Sequence, residues 1–214
     1  MVYHPRMPME KYTGGDLMCN GYLLSGEAGE YVAVDAPEGF AEWVLNTLPQ
    51  GAKLAHLLLT HQHFDHIQDA AALQAATGCC VHACAPFSAG LTLRQLASAW
   101  GLPQPADFVV HDVLGENDCE LELAGLKWRA LYVPGHAADG MVYYLPALSA
   151  LFAGDVLFSG SIGRTDMPGG SQSLLVGGIR RKLMTLPPDT DVYPGHGPAT
   201  SVQEEALNNP FVQG

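Results

Sequence analysis

Thr60-His61-Gln62-His63-Phe64-Asp65-His66 decides the reading of this chain, because it places three imidazoles and a carboxylate in six consecutive positions. It follows directly on the apolar run Leu54-Ala55-His56-Leu57-Leu58-Leu59. Neutral imidazole and carboxylate suit a borderline first-row metal, and one ion does not accommodate all four groups at this spacing. In an extended segment His61, His63 and Asp65 point one way. A helix starting near Asp65 swings His66 round to the same side. The spacing therefore predicts two adjacent ions.

Three further fragments share one grammar, a strand followed by a ligand-type residue in a glycine turn. They are Val133-Pro134-Gly135-His136, Phe152-Ala153-Gly154-Asp155 and Tyr193-Pro194-Gly195-His196-Gly197. Proline and glycine fix the turn, and glycine lets backbone approach a crowded centre. Ligands at strand ends are held rigidly, as a reactive site requires. The seven candidates divide into His61, His63 and His136 for one ion and Asp65, His66 and His196 for the other. Asp155 then bridges the pair, leaving a shared position for water or hydroxide.

The strands that deliver these fragments alternate with helices. Strands are predicted over 17–24, 31–34, 54–59, 80–83, 121–123, 127–133, 141–145, 150–153 and 191–193, and helices over 40–48, 67–77 and 174–186. Hairpins and crossovers are mixed, which fits two sheets covered by helices better than an open parallel sheet. The proline-punctuated stretch 85–106, with the apolar piece Leu91 to Trp100, reads as a lid or insertion beside the site.

At 214 residues the chain is expected to form a single domain, 1–214, with a substantial core. Apolar residues make up 48% and charged residues 15%, which excludes a disordered chain. No run approaches a membrane span and no basic-then-apolar leader opens the sequence, so a cytoplasmic, non-membrane protein is expected. Five cysteines, an odd number without a framework, read as free and mostly buried thiols. The formal charge of −12 argues against a nucleic-acid partner. The one basic cluster, Arg180-Arg181-Lys182, reads as a solvated face.

The His-x-His-x-Asp-His segment, the two later histidines and the aspartate resemble the metallo-β-lactamase superfamily, from about Asp16 to Phe211. The resemblance implies an αββα sandwich, two mixed β-sheets flanked by helices, with two divalent metal ions, most often Zn2+ (Fe or Mn in some members). Phe158 to Gly170 and the tail Glu204 to Phe211 resemble the small glyoxalase II-like hydrolases. That likeness implies thioester hydrolysis, of a substrate such as S-lactoylglutathione, by a hydroxide generated at the ions. Asp65 and Asp155 are then the carboxylates nearest the chemistry, with Asp65 orienting the water or taking its proton. A thiolate leaves without acid assistance, which favours a thioester over an amide.

One departure bears on the substrate, and a second bears on the groups behind the ligands and leaves the ligand set intact. Glyoxalase II enzymes clamp glutathione through a C-terminal helical extension, whereas 18 residues follow His196 here. The thiol part is therefore expected to differ from glutathione or to be held by the 85–106 segment. Ala137-Ala138-Asp139-Gly140 stands where relatives commonly carry Thr-Pro-Gly after the histidine. The persulfide dioxygenases of the same superfamily supply the alternative, with one Fe(II) on His61, His136 and Asp155. A non-catalytic scaffold is disfavoured because no ligand position is damaged.

The remaining histidines, His4, His56, His82 and His111, are expected to be structural or surface residues, and Cys79, Cys80 and Cys84 are not needed as ligands. Asp35 is expected either to orient a ligand imidazole or to cap a turn. Arg164 and Asp166 are expected to pair with each other.

Overall fold

Val32, Ala33 and Val34 show how the layers arise, since alternate side chains leave a strand on opposite faces. Val32 and Val34 enter the core between two sheets, while Ala33 faces the helices outside. On the opposing sheet Met141, Tyr143 and Leu145 face inward and Val142 and Tyr144 outward, again toward helices. Four layers follow, helix, sheet, sheet, helix, in a computed structural model that describes residues 9–213.

The first sheet runs β1 (Met9–Gly14), β2 (Cys19–Ser25), β3 (Glu30–Val34), β4 (Lys53–Leu58), β5 (Cys80–Ala83) and β6 (Asp112–Val113), in that order. Its first two pairings are antiparallel and its last three parallel. The second sheet is built from β7 (Cys119–Leu123), β8 (Leu126–Tyr132), β9 (Met141–Leu145), β10 (Ala150–Gly154), β13 (Asp191–Pro194) and β14 (Thr200–Ser201). Its order is β14-β13-β10-β9-β8-β7, and only β10 and β13 pair in parallel. A small hairpin of β11 (Leu157–Phe158) and β12 (Ser161–Ile162) follows β10.

Helices α1 (Phe40–Thr47) and α2 (Ala70–Thr77) cover the first sheet through Phe40, Val44 and Leu73. Two others, α4 (Gln172–Gly178) and α5 (Val202–Asn208), cover the second through Leu175 and Val202. The 85–106 stretch contributes α3 (Arg94–Ala99). The two mixed sheets flanked by helices are those expected, and each fully buried Leu or Phe among them contributes roughly 1.5–3 kcal/mol.

Local differences have local causes. The first expected strand begins at Cys19, because Gly15 to Met18 form a turn closed by Met18 N–H on the Gly15 carbonyl, 3.0 Å away. The helix expected from Ile67 begins at Ala70; a single 3-10 turn, Phe64–His66, is what carries His66 inward. The 174–186 helix runs as α4 and then a wide π-type turn, Ile179–Leu183, beginning after the Gly177-Gly178 pair. Arg180 and Lys182 are more than a solvated face. Arg180 donates to the carbonyls of Val212 and Gln213, and Lys182 pairs with Asp118 and donates to the Tyr132 carbonyl. All five cysteines are free; Cys19, Cys79 and Cys84 are buried, and Cys80 and Cys119 are half-buried. Among the described residues no helix is long and apolar enough to cross a membrane.

Candidate metal centre

Strand direction gathers the site. Because β8 and β10 each pair antiparallel with β9, and β13 runs parallel to β10, the C-terminal ends of β8, β10 and β13 share one edge of the second sheet. These ends lead to His136, Asp155 and His196, and β4 of the first sheet leads to His61, His63, Asp65 and His66. The structure brings all seven together. His61, His63 and His136 form one group of ligand atoms within 4.8 Å of each other, and Asp65, His66 and His196 form another. Asp155 lies between them: Oδ1 is 3.3 Å from His66 Nε2, and Oδ2 is 3.5 Å from His136 Nε2 and 3.7 Å from His196 Nε2.

Four of the five imidazoles are held by the far nitrogen, which fixes the tautomer and frees the other lone pair. His66 Nδ1 donates to Asp35 Oδ2 at 2.8 Å, His136 Nδ1 to the Arg164 carbonyl at 2.9 Å, and His196 Nδ1 to the Leu17 carbonyl at 3.0 Å. His61 Nδ1 lies 3.1 Å from Thr60 Oγ1, whose own hydroxyl donates to Asp35 Oδ2 at 2.7 Å. His61 Nε2, His66 Nε2 and Asp155 Oδ1 are buried without any hydrogen-bond partner. His136 Nε2, an acceptor by its tautomer, sits 2.9 Å from His63 Nδ1. Buried lone pairs turned on one another need protons or cations between them. Five imidazoles and two carboxylates of borderline hardness fit divalent first-row ions.

The electrostatics divide the candidate ligands. Burial, then the neighbouring imidazoles His66, His63, His136 and His196, hold His61 well below the usual histidine range. Burial and then His136 push His63 down to about 3. Burial by itself would raise Asp155, but His66 and then His196 and His136 override it and keep the carboxyl well below its ordinary value. Burial by itself would lower His66 and His196, but Cys19, Asp155, Asp35 and Asp65 override it at His66, and Asp65 and Asp155 at His196, so both are raised. Binding an ion therefore displaces protons from these two rings, while His61, His63 and Asp155 already stand in the form that binds metal. Gly195 is required by close approach, since a Cβ there would strike Asp155 Oδ1 and the His66 ring.

Asp35 orients a ligand imidazole, one of the two roles expected of it, whereas Asn20 and Cys19 support the site with no local sequence signal. Asp35, with φ +57°, also accepts the Thr60 N–H at 2.8 Å, so it orients His66 and the first residue of the histidine segment together. Asn20 Nδ2 donates to the carbonyls of Pro194 and Gly197 at 3.0 and 3.1 Å, clamping the loop around His196. Cys19 Sγ lies within 4.8 Å of ligand atoms of Asp65, His66 and His196, and burial pushes its thiol up to about 12. Gln62, between two of the histidines, donates to the Ala85 and Pro86 carbonyls and accepts the Ser88 N–H, tying the 85–106 stretch to the site. Arg164 and Asp166 pair at 2.8 Å in the open, as expected. His4 lies outside the described residues. His111 accepts the Val81 N–H at 3.1 Å, away from the centre.

Asp139 is the departure noted after His136. Its Oδ2 accepts the Gln62 N–H at 3.0 Å, its Oδ1 has no partner, and burial raises the carboxyl to about 6. An acid raised by folding opposes folding when ionised: the penalty is full above the folded value and vanishes below the unfolded one, near 4. Asp139→Asn keeps an acceptor for Gln62 and removes that charge. In chelator, the variant is expected to gain about 1–3 kcal/mol at pH 8 and to lose that gain by pH 4. Equal melting shifts at both pH values would contradict this.

The Metallo-beta-lactamase superfamily profile matches residues 15–196, and the chain belongs to that metallo-hydrolase superfamily. It is similar to the probable metallo-hydrolase YqgX of Bacillus subtilis, 32% identical over 98% of this chain and 97% of that one. It is also similar to the hydroxyacylglutathione hydrolase GloC of Haemophilus influenzae, 33% identical over 84% of this chain and 86% of that one. Among solved structures it resembles the BLEG-1 B3 metallo-beta-lactamase, with TM-score 0.87 and 31% identity over 97% of this chain and all of that one. TTHA1623 in a di-iron-bound form gives 0.80 and 34%, covering 94% and 99%. ETHE1 from Myxococcus xanthus gives 0.79 and 27%, covering 95% and 84%.

Proposed function

We propose that the chain is a dinuclear metal-dependent hydrolase acting on a small-molecule thioester. The placement of Asp155 carries this reading, with one oxygen toward His66 and the other toward His136 and His196. His61, His63 and His136 would hold one ion, Asp65, His66 and His196 the second, and Asp155 both. Ions so held lower the pKa of a bound water and polarise a carbonyl oxygen. Zn2+ is the ion proposed, and the di-iron form of TTHA1623 keeps iron as its competitor.

The chain's own groups do the rest. Asp65 Oδ2, 3.2 Å from His196 Nε2, orients the attacking water and accepts its proton. Beside Asp65 a small pocket is lined by Leu17, Phe64, Leu102 and Pro103, which give an apolar wall for the acyl or thiol part. The 85–106 stretch, expected as a lid or insertion, borders that pocket through Leu102 and Pro103. Asp16 and Glu38 line the same pocket and disfavour an anionic thiol part. The likeness to a hydroxyacylglutathione hydrolase supports the thioester, and the two carboxylates favour a thiol part that carries less negative charge than glutathione.

Thiol release from S-lactoylglutathione and from an S-acylcysteamine tests this. Chelator-sensitive hydrolysis of both, with the larger kcat/KM on the cysteamine ester, is expected. No thiol release from either, with oxygen uptake on a persulfide, would instead support the mononuclear reading on His61, His136 and Asp155 that the ETHE1 likeness favours. His111→Ala is expected to leave turnover within about twofold while costing about 1 kcal/mol of stability. A large loss of turnover would mean that the ligand set is misassigned.

A further inference from the structure

We infer that the chain carries a second, separate metal site, made by His56, Cys80 and His82 on the first sheet, which takes a zinc-class ion. Sequence reading assigns both histidines to structure, yet the parallel register sets His56 of β4 opposite Cys80 of β5, with His82 two residues on along the same face. One ligand atom from each lies within 4.8 Å of the others. His82 Nδ1 faces Asp112 Oδ2 at 3.0 Å, so this ring donates to the carboxylate and turns the lone pair of Nε2 toward His56. His56 Nδ1 is 3.0 Å from that Nε2. Two nitrogens each about 2.0–2.1 Å from a tetrahedral ion stand about 3.3 Å apart, so a small opening of the pair admits the ion.

The ligand chemistry fits. Two imidazoles and a thiolate select zinc-class ions over calcium or magnesium, and a carboxylate behind one histidine is the usual support. Burial and then His82 hold His56 below its ordinary value, and burial lowers His82, so both rings are neutral at pH 7. On binding, Cys80 gives its proton to solvent and the thiolate occupies the coordination position. His82 is buried while His56 and Cys80 are half-buried, which leaves an open face for a water as fourth ligand.

Full-length protein saturated with Zn2+, desalted and analysed for metal tests this. Cys80→Ser and His82→Ala are each expected to retain one ion fewer than wild type. Asp155→Ala, which disturbs the central site, is expected to keep the ion on Cys80. With Co2+, Cys80→Ser is expected to lose near-ultraviolet thiolate-to-cobalt absorption that Asp155→Ala retains. Equal metal content in wild type and both variants would overturn the site and leave a plain His56–His82–Asp112 hydrogen-bond relay. Unchanged cobalt absorption in Cys80→Ser would overturn it equally. Neither result depends on which reaction the central site performs.

Discussion

Asp155→Ala is expected to lose most of the metal at the central site and more than about 100-fold of hydrolytic activity, a larger loss than removal of a group behind a ligand typically causes. The reason is geometric. Asp155 faces both groups of histidines, and its Oδ1 is buried with no other partner. Removing the carboxylate leaves His66 and His136 turned on an uncompensated, more cationic centre, so both ions are weakened together. Elemental analysis and turnover on the same sample check the result. Wild-type activity with full metal content would remove Asp155 from the shared position.

Asp35→Ala is expected to weaken metal binding about 10–100-fold although Asp35 faces no ion directly. Its two oxygens accept from His66 Nδ1, Thr60 N and Thr60 Oγ1, all buried. Without it the His66 tautomer is no longer fixed, and Thr60 no longer supports His61. Losing a buried acceptor that serves three donors also costs about 1–3 kcal/mol of stability. Asp35→Asn separates the two effects: it accepts from Thr60 but cannot receive the His66 proton without offering a donor in competition. The variant is expected to recover stability more than metal affinity. Full metal affinity in Asp35→Ala would reduce this residue to a turn cap.

The strands were legible as short continuous apolar runs buried on both faces, as in Val32 to Val34 and Met141 to Leu145. The seven candidate ligands were legible because each stands in a short run with its own chemistry, His-x-His or Pro-Gly-His. Strand β1 was not read from Met9-Glu10-Lys11-Tyr12, since an edge strand with mostly polar side chains carries little alternation. The two-residue strands β6 and β14 exist only through their partners. Cys19 and Asn20 meet the site across the fold, over sequence separations that no local pattern encodes. The His56, Cys80 and His82 cluster shows the same limit: Cys80-x-His82 has strand spacing, but its third member depends on the register of β4 against β5.

Anomalous diffraction from metal-loaded crystals tests most directly the proposal that one set of seven side chains holds two ions. Two peaks are expected at this centre, one against His61, His63 and His136 and the other against Asp65, His66 and His196, both touching Asp155. A single peak on His61, His136 and Asp155, with nothing beside His196 in fully loaded protein, would contradict it.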